Sequence, residues 1–124
     1  MAYIKDRDEP IYTISIAAKL VRPLAKAASA DQKPIHAQTL RMYDRLGLVK
    51  PQKVGKNRFY SDRDIERLQR IQHFTQHCGI NLAGVAYILE LVDQLQEANM
   101  QQDRIDIMLQ AAEERLREWA EVEE

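Results

Sequence analysis

Thr39-Leu40-Arg41-Met42-Tyr43-Asp44-Arg45-Leu46-Gly47-Leu48-Val49, followed shortly by Asn57-Arg58-Phe59-Tyr60-Ser61, decides the fold of this chain. The first stretch reads as a short helix with an arginine face and a glycine stop. The second reads as the return strand of a basic hairpin. A helix that fits the major groove, beside a wing that reaches the flanking backbone, is how a small domain holds duplex DNA. The charge points the same way. His36 to Tyr60 carries six Lys or Arg and one acid, Asp44, whereas Met100 to Glu124 carries three Arg and eight acids. The formal net charge of -1 therefore hides two regions of opposite sign, one attracting a polyanion and the other repelling it.

Around the opening stretch the pattern predicts a helix from Ala37 to Leu46, with Gly47 as the left-handed residue after it and Leu48 packing back. Leu40, Tyr43 and Leu46 share one face; Gln38, Arg41 and Arg45 share another. Gln38 and Arg41, with Thr39 between them, are the candidates for base edges. Arg45, Lys53, Lys56 and Arg58 are better placed for phosphate. Tyr43 and Tyr60 are expected to pack their rings and offer their hydroxyls to the DNA backbone. Val49 to Val54 and Arg58 to Tyr60 form extended runs around a turn at Gly55-Lys56-Asn57.

Upstream, residues 1–11 read as a loose, flexible arm, and Tyr12-Thr13-Ile14 as a short edge strand. Ser15 can cap a helix through Val21, which Arg22-Pro23 ends. Leu24 to Ala30 suits another turn or two, and Asp31 to Pro34 is loop chemistry. Downstream, Ser61 caps a helix that carries Ile65, Leu68, Ile71, Phe74 and Cys78, with Asp62 and Asp64 complementing its N-terminus. Gly79 stops it, and Asn81 caps a further helix bearing Leu82, Val85, Ile88, Leu89 and Val92. Leu91, Leu95, Ala98, Gln102, Ile105, Leu109, Ala112, Leu116 and Trp119 then recur at alternating spacings of four and three, a heptad seam. Such a stripe wants a second copy of the same helix. Leu95, Ile105, Leu109, Ala112, Leu116 and Trp119 are the expected dimer contacts, with the polar Gln102 able to set register.

The bulk numbers fit. At 124 residues, with 45% hydrophobic and 30% charged, the chain suits one mainly helical domain with an extension. No apolar run approaches the roughly 20 residues of a membrane span, and the first residues lack the apolar core of a signal peptide. One cysteine excludes an internal disulfide framework and suits a reducing cytoplasm. His73 and His77 form an i,i+4 pair, but Cys78 falls off that face, so no metal or other cofactor is expected, and Cys78 reads as a small core residue. No nucleophile triad, phosphate-cradling loop or paired carboxylates in a cleft appear, so the chain does not read as an enzyme.

Ile14 to Val21, His36 to Val49, and Arg58-Phe59-Tyr60-Ser61-Asp62-Arg63-Asp64-Ile65 together resemble the MerR superfamily of winged helix-turn-helix regulators. Asn81-Leu82-Ala83-Gly84-Val85 resembles the start of the second wing's helix. The resemblance covers about residues 12–93. Ile14 to Ala18, the His36-to-Arg41 helix start and the Asn81-to-Gly84 segment are most similar to the heat-shock repressor branch. The resemblance implies a mainly α fold: a winged helix-turn-helix with a small β-hairpin wing and a C-terminal dimerisation helix forming a coiled coil. The implied layout is an arm over 1–11, a DNA-binding domain over 12–93, and a dimerisation helix with acidic tail over 94–124. It also implies a nucleoid-associated homodimer that represses chaperone genes from an inverted repeat in double-stranded DNA, with an Hsp70-type chaperone as corepressor. Two departures stand out. About a dozen residues, Arg22 to Lys33, separate the two helices where three or four are usual. In the wing, Asn57 and Phe59 stand where many relatives carry an aromatic residue and a second arginine, which implies a weaker hold on the backbone or a larger share for Lys53 and Lys56.

Other functions fit parts of the pattern. A nitrogen-control repressor of the same superfamily shares a short tail; an effector-sensing activator needs a pocket or thiol ligands that this sequence does not offer. Outside the superfamily, a coiled-coil adaptor with a basic patch for an acidic protein is the alternative, and salt-dependent preference for a palindromic duplex separates it from the regulators.

Overall fold

Two helix stops shape the molecule. In the computed structural model, which describes residues 6–21 and 35–122, helix α2 (Ala37–Arg45) ends as Gly47 takes φ +75°. Leu48 N then donates to Tyr43 O at 2.9 Å and Gly47 N to Asp44 O at 3.0 Å. This is a complete Schellman closure, which satisfies carbonyls the helix would leave unpaired. The second stop has the same form without a glycine. Asn99, at φ 64°, follows α4 (Leu82–Glu97), and Met100 N reaches Leu95 O while Asn99 N reaches Gln96 O, both at 3.0 Å. Helix α5 (Gln102–Val122) starts just beyond.

The expected heptad seam is therefore not one helix. Asparagine adopts the left-handed region more readily than other non-glycine residues because its short polar side chain bonds locally, so the chain turns inside the seam. Gln102, expected to set register between copies, accepts from Gln96 Nε2 at 2.7 Å and donates to Asp106 at 2.8 Å within its own chain.

The chain divides into two compact units, the first running to Gly79 and the second beginning at Ile80. In the first, β1 (Tyr12–Thr13) pairs antiparallel with β3 (Asn57–Tyr60), which pairs with β2 (Gln52–Val54), giving the order β1-β3-β2. Register sets Tyr12 opposite Tyr60 and Lys53 opposite Arg58. The wing's turn is the two residues Gly55-Lys56, with positive φ at Gly55, as a two-residue hairpin requires.

Helix α1 (Ile14–Leu20) begins earlier than Ser15 suggests, because Thr13 takes the capping role and its hydroxyl accepts from Ile16 N. It ends where Val21 turns extended. The turn predicted over Leu24 to Ala30, the loop over Asp31 to Pro34 and the long Arg22-to-Lys33 separation lie outside the described residues, as do residues 1–5 of the arm. The rest of the arm meets the end of β3 and the start of α3 (Asp62–Gln72): Ile11 N donates to Tyr60 O, Arg63 N to Arg7 O, and Arg63 pairs with Asp8 and Arg7 with Glu66.

Helix α3 opens with a reciprocal capping box between Ser61 and Asp64. It widens over His73–His77 into a π-helical turn, closed by Cys78 N on His73 O. The Thr75 hydroxyl donates back to Ile71 O and Gln72 O, competing for acceptors of the α pattern. The first unit's core comprises Ala17, Leu40, Tyr43, Val49, Tyr60, Ile65, Leu68, Ile71 and Phe74. Cys78 is half-buried. In the second unit Val85, Leu89, Val92 and Ile105 are buried. No described helix is long and apolar enough to cross a membrane.

Candidate nucleic-acid interface

Helix α2 separates its faces as its sequence predicts. Leu40 and Tyr43 turn into the core, Gln38 and Arg45 are exposed, and Thr39 and Arg41 lie half-buried between them. Leu46 is the exception. Expected on the inner face, it is 57% exposed at the C-cap, just past the last helical residue, Arg45. The first turn of α2 carries no acid, which leaves the positive end of its dipole uncompensated by its own carboxylates.

The wing and α2 meet at one cleft of about 220 Å³, where Arg41 from the helix faces Lys56, Asn57, Arg58 and Phe59 from the hairpin and Thr13 and Ile14 from the start of α1. Three of the basic residues named from the sequence thus converge on one concavity. Lys56 stands at the hairpin tip, exposed, where a phosphate can approach it.

Arg58 and Lys53 are engaged within the protein. Arg58 Nε donates to Asp44 Oδ2 at 2.7 Å, and Lys53 Nζ lies 3.2 Å from the same oxygen. Burial alone would raise the Asp44 carboxyl, but the hydrogen bonds and charges of Arg58 and Lys53 outweigh it, so Asp44 stays below the usual carboxylate range. Asp44 is the charged group of this site that the sequence reading did not single out as a site residue. The signal was present: one acid in a basic stretch, at the end of the helix that the wing follows.

Tyr43 and Tyr60 lie inside the fold rather than on its basic face. The Tyr43 hydroxyl accepts from Gln72 Nε2 at 2.9 Å; burial raises the phenol, and hydrogen bonds with Gln72 and Thr75 oppose that rise. Tyr60 is fully buried, and among the described residues its hydroxyl has no hydrogen-bond partner. Burial, and then the charge of Asp44, push it up to about 12.

The residues expected at a dimer seam fall on two helices. Leu95 is half-buried on α4, and Ile105 is fully buried near the start of α5. Leu109 is half-buried, while Ala112, Leu116 and Trp119 are exposed, Trp119 to 60%. Ile107 and Met108 add apolar surface to α5 that the seam did not include.

Two comparisons with known proteins bear on this arrangement. The profile of the MerR HTH family of regulatory proteins matches residues 30–92, just over half of the chain. A protein of Streptomyces coelicolor that carries the name heat shock protein HspR is 46% identical over 96 residues. That alignment covers 77% of this chain and 56% of the relative, so the chain spans little more than half of the relative's length.

Proposed function

The chain belongs to the MerR HTH family of regulatory proteins, DNA-binding transcription factors rather than enzymes, and from that premise we propose that it is a cytoplasmic, nucleoid-associated repressor of heat-shock genes acting as a homodimer on an inverted repeat. The observation that carries the DNA-binding mode is the convergence of Arg41, Lys56 and Arg58 on one cleft between helix and wing. Helix α2 enters the major groove, with Gln38, Thr39 and Arg41 toward base edges. Arg45 and Lys56 hold phosphates on either side, with Lys53 in reserve.

The second copy is supported by the exposed apolar face of α5, since monomeric proteins seldom leave such a stripe uncovered. Two copies related by a two-fold axis present two α2 helices to half-sites of an inverted repeat. The heat-shock assignment rests on similarity to the Streptomyces coelicolor protein. In this reading an Hsp70-type chaperone strengthens repression by binding the DNA-competent dimer, and unfolded clients withdraw it on heating.

The test is footprinting of the purified protein across the chaperone operons of its own genome, with and without the chaperone. Protection of an inverted repeat, extended to lower protein concentration by the chaperone, is the expected result. Protection only at promoters of other regulons would reassign the target genes; protection that the chaperone leaves unchanged would remove the corepressor.

A further inference from the structure

A carboxylate on a surface that approaches a polyanion opposes binding, yet Asp44 sits in the middle of the basic stretch. Its geometry supplies a reason. The Asp44 side chain is 6% exposed, and one oxygen, Oδ2, takes both Arg58 Nε and Lys53 Nζ. Those two cations stand directly opposite each other in the hairpin register, where like charges repel. A single sheltered oxygen therefore relieves the repulsion and ties both wing strands to the last turn of α2.

The two cations are held unequally. Arg58 is close, at 2.7 Å, and its side chain is 24% exposed; Lys53 is at 3.2 Å and 58% exposed. A guanidinium engaged through Nε is fixed in direction, whereas an ammonium on a four-carbon stem can swing to another acceptor.

We propose that Asp44 is a positioning residue that sets the wing against the recognition helix through Arg58, and that Lys53 leaves Asp44 for a backbone phosphate when duplex docks. The inference rests on the DNA-binding reading above and divides its basic residues by role: Arg58 is a strut, and Lys53 a held cation released on binding. A bare charge and a strut predict opposite signs. If Asp44 acts only through its charge, neutralising it tightens binding to any duplex. If it is a strut, neutralising it weakens binding where geometry matters and leaves loose electrostatic binding intact or stronger.

The experiment uses the full chain and two probes: a duplex that the wild-type protein selects from a randomised pool, and poly(dI-dC). Affinities for both are measured across a salt series for wild type, Asp44→Asn, Arg58→Gln, the double variant and Lys53→Ala. Asp44→Asn is expected to lose roughly tenfold on the selected duplex, within the range of coupled neighbours, and nothing on poly(dI-dC). Arg58→Gln should match it, and the double variant should lose no more than either alone. Lys53→Ala should keep its preference for the selected duplex while its salt slope falls by about 1. Should Asp44→Asn fail to fold by circular dichroism, Arg58→Gln breaks the same contact from the wing side and carries the test. The proposal is overturned if Asp44→Asn binds the selected duplex as tightly as wild type or tighter, if the two losses add, or if Arg58→Gln rather than Lys53→Ala lowers the salt slope. If the wild type selects no duplex, the DNA-binding reading fails and this inference with it; if the wild type selects one and Asp44→Asn discriminates equally, only this inference fails.

Discussion

The helix–wing region and helix α5 differ in how far the chain completes them. In the first, the special backbone positions and the acid beside the wing are satisfied internally: Gly47 closes α2, Ser61 and Asp64 cap α3, and Asp44 takes the charges of Arg58 and Lys53. In α5, beyond the buried Ile105, side chains that would normally be buried face solvent: Ile107 at 67%, Met108, Leu116 and Trp119. A region finished by its own chain can hold a geometry ready for a ligand. A region left unfinished gains stability only from a partner. On the proposed reading the first region reads DNA and the second assembles, and each perturbation below strikes one side of that division.

The largest expected effect is on assembly. Leu116→Asp lies at an exposed position of the single chain, so it should leave the monomer's fold almost unchanged. In a dimer it would bury an unpaired carboxylate at a cost of about 3–5 kcal/mol. Sedimentation velocity should show monomers with wild-type helix content. A variant that remained dimeric would move the interface off this stripe. Leu40→Ala is the counterpart in the finished region. Leu40 is fully buried behind the arginine face of α2, and its truncation should cost about 2–5 kcal/mol of folding stability, measured by urea denaturation, with oligomeric state unaffected at low denaturant.

Gly47→Ala should cost about 1–2 kcal/mol, because a Cβ is strained at positive φ even where nothing crowds it. Thermal melts of Gly47→Ala beside the wild type check this; an unchanged melting temperature would mean that the stop of α2 does not matter as its Schellman bonds imply.

The smallest effect carries an unusual sign. Tyr60→Phe removes a buried hydroxyl that has no partner among the described residues, so stability should rise by about 1 kcal/mol rather than fall. The pH dependence follows. With its folded value pushed up from 10.0 to about 12, the neutral phenol contributes stability fully below pH 10.0. That contribution is lost as pH rises through about 12. Wild-type protein should therefore lose stability across that interval by an amount that Tyr60→Phe does not lose. Equal alkaline limbs for both proteins would mean that Tyr60 ionises as freely folded as unfolded.

The same contrast explains what could be read from the sequence. Helix α2, its glycine stop, the wing and the capped start of α3 were legible because each is written in local chemistry: a face of apolar residues, a residue able to take positive φ, a hydroxyl before two acids. The turn at Asn99 was not. Asparagine reaches the left-handed region less freely than glycine, and Leu95, Ala98, Gln102 and Ile105 keep their heptad phase across it, so periodicity gave no sign that α4 and α5 are separate helices. The cleft was legible in part. Arg41, Lys56 and Arg58 stood out by charge, whereas Thr13, Ile14 and Phe59 line it only because β1 pairs with β3. Asp44 stands out in the sequence as the one acid of the basic stretch, but its partners do not: the contact with Arg58 spans fourteen residues of sequence, which no local pattern encodes. For Tyr43 and Tyr60, expected both to pack and to reach the DNA backbone, nothing local to the sequence decides between a buried ring and a presented hydroxyl.

The most direct test of the central claim, that α2 and its wing read duplex DNA, compares Arg41→Ala with Lys56→Ala on the selected duplex and on random duplex over a salt series. Arg41→Ala should narrow the preference for the selected duplex by about 1–3 kcal/mol, as loss of a base-edge contact does. Lys56→Ala should weaken both duplexes alike and lower the salt slope by about 1. Full wild-type discrimination by Arg41→Ala would contradict the account, because the helix that defines the fold would then not be the element that reads the sequence.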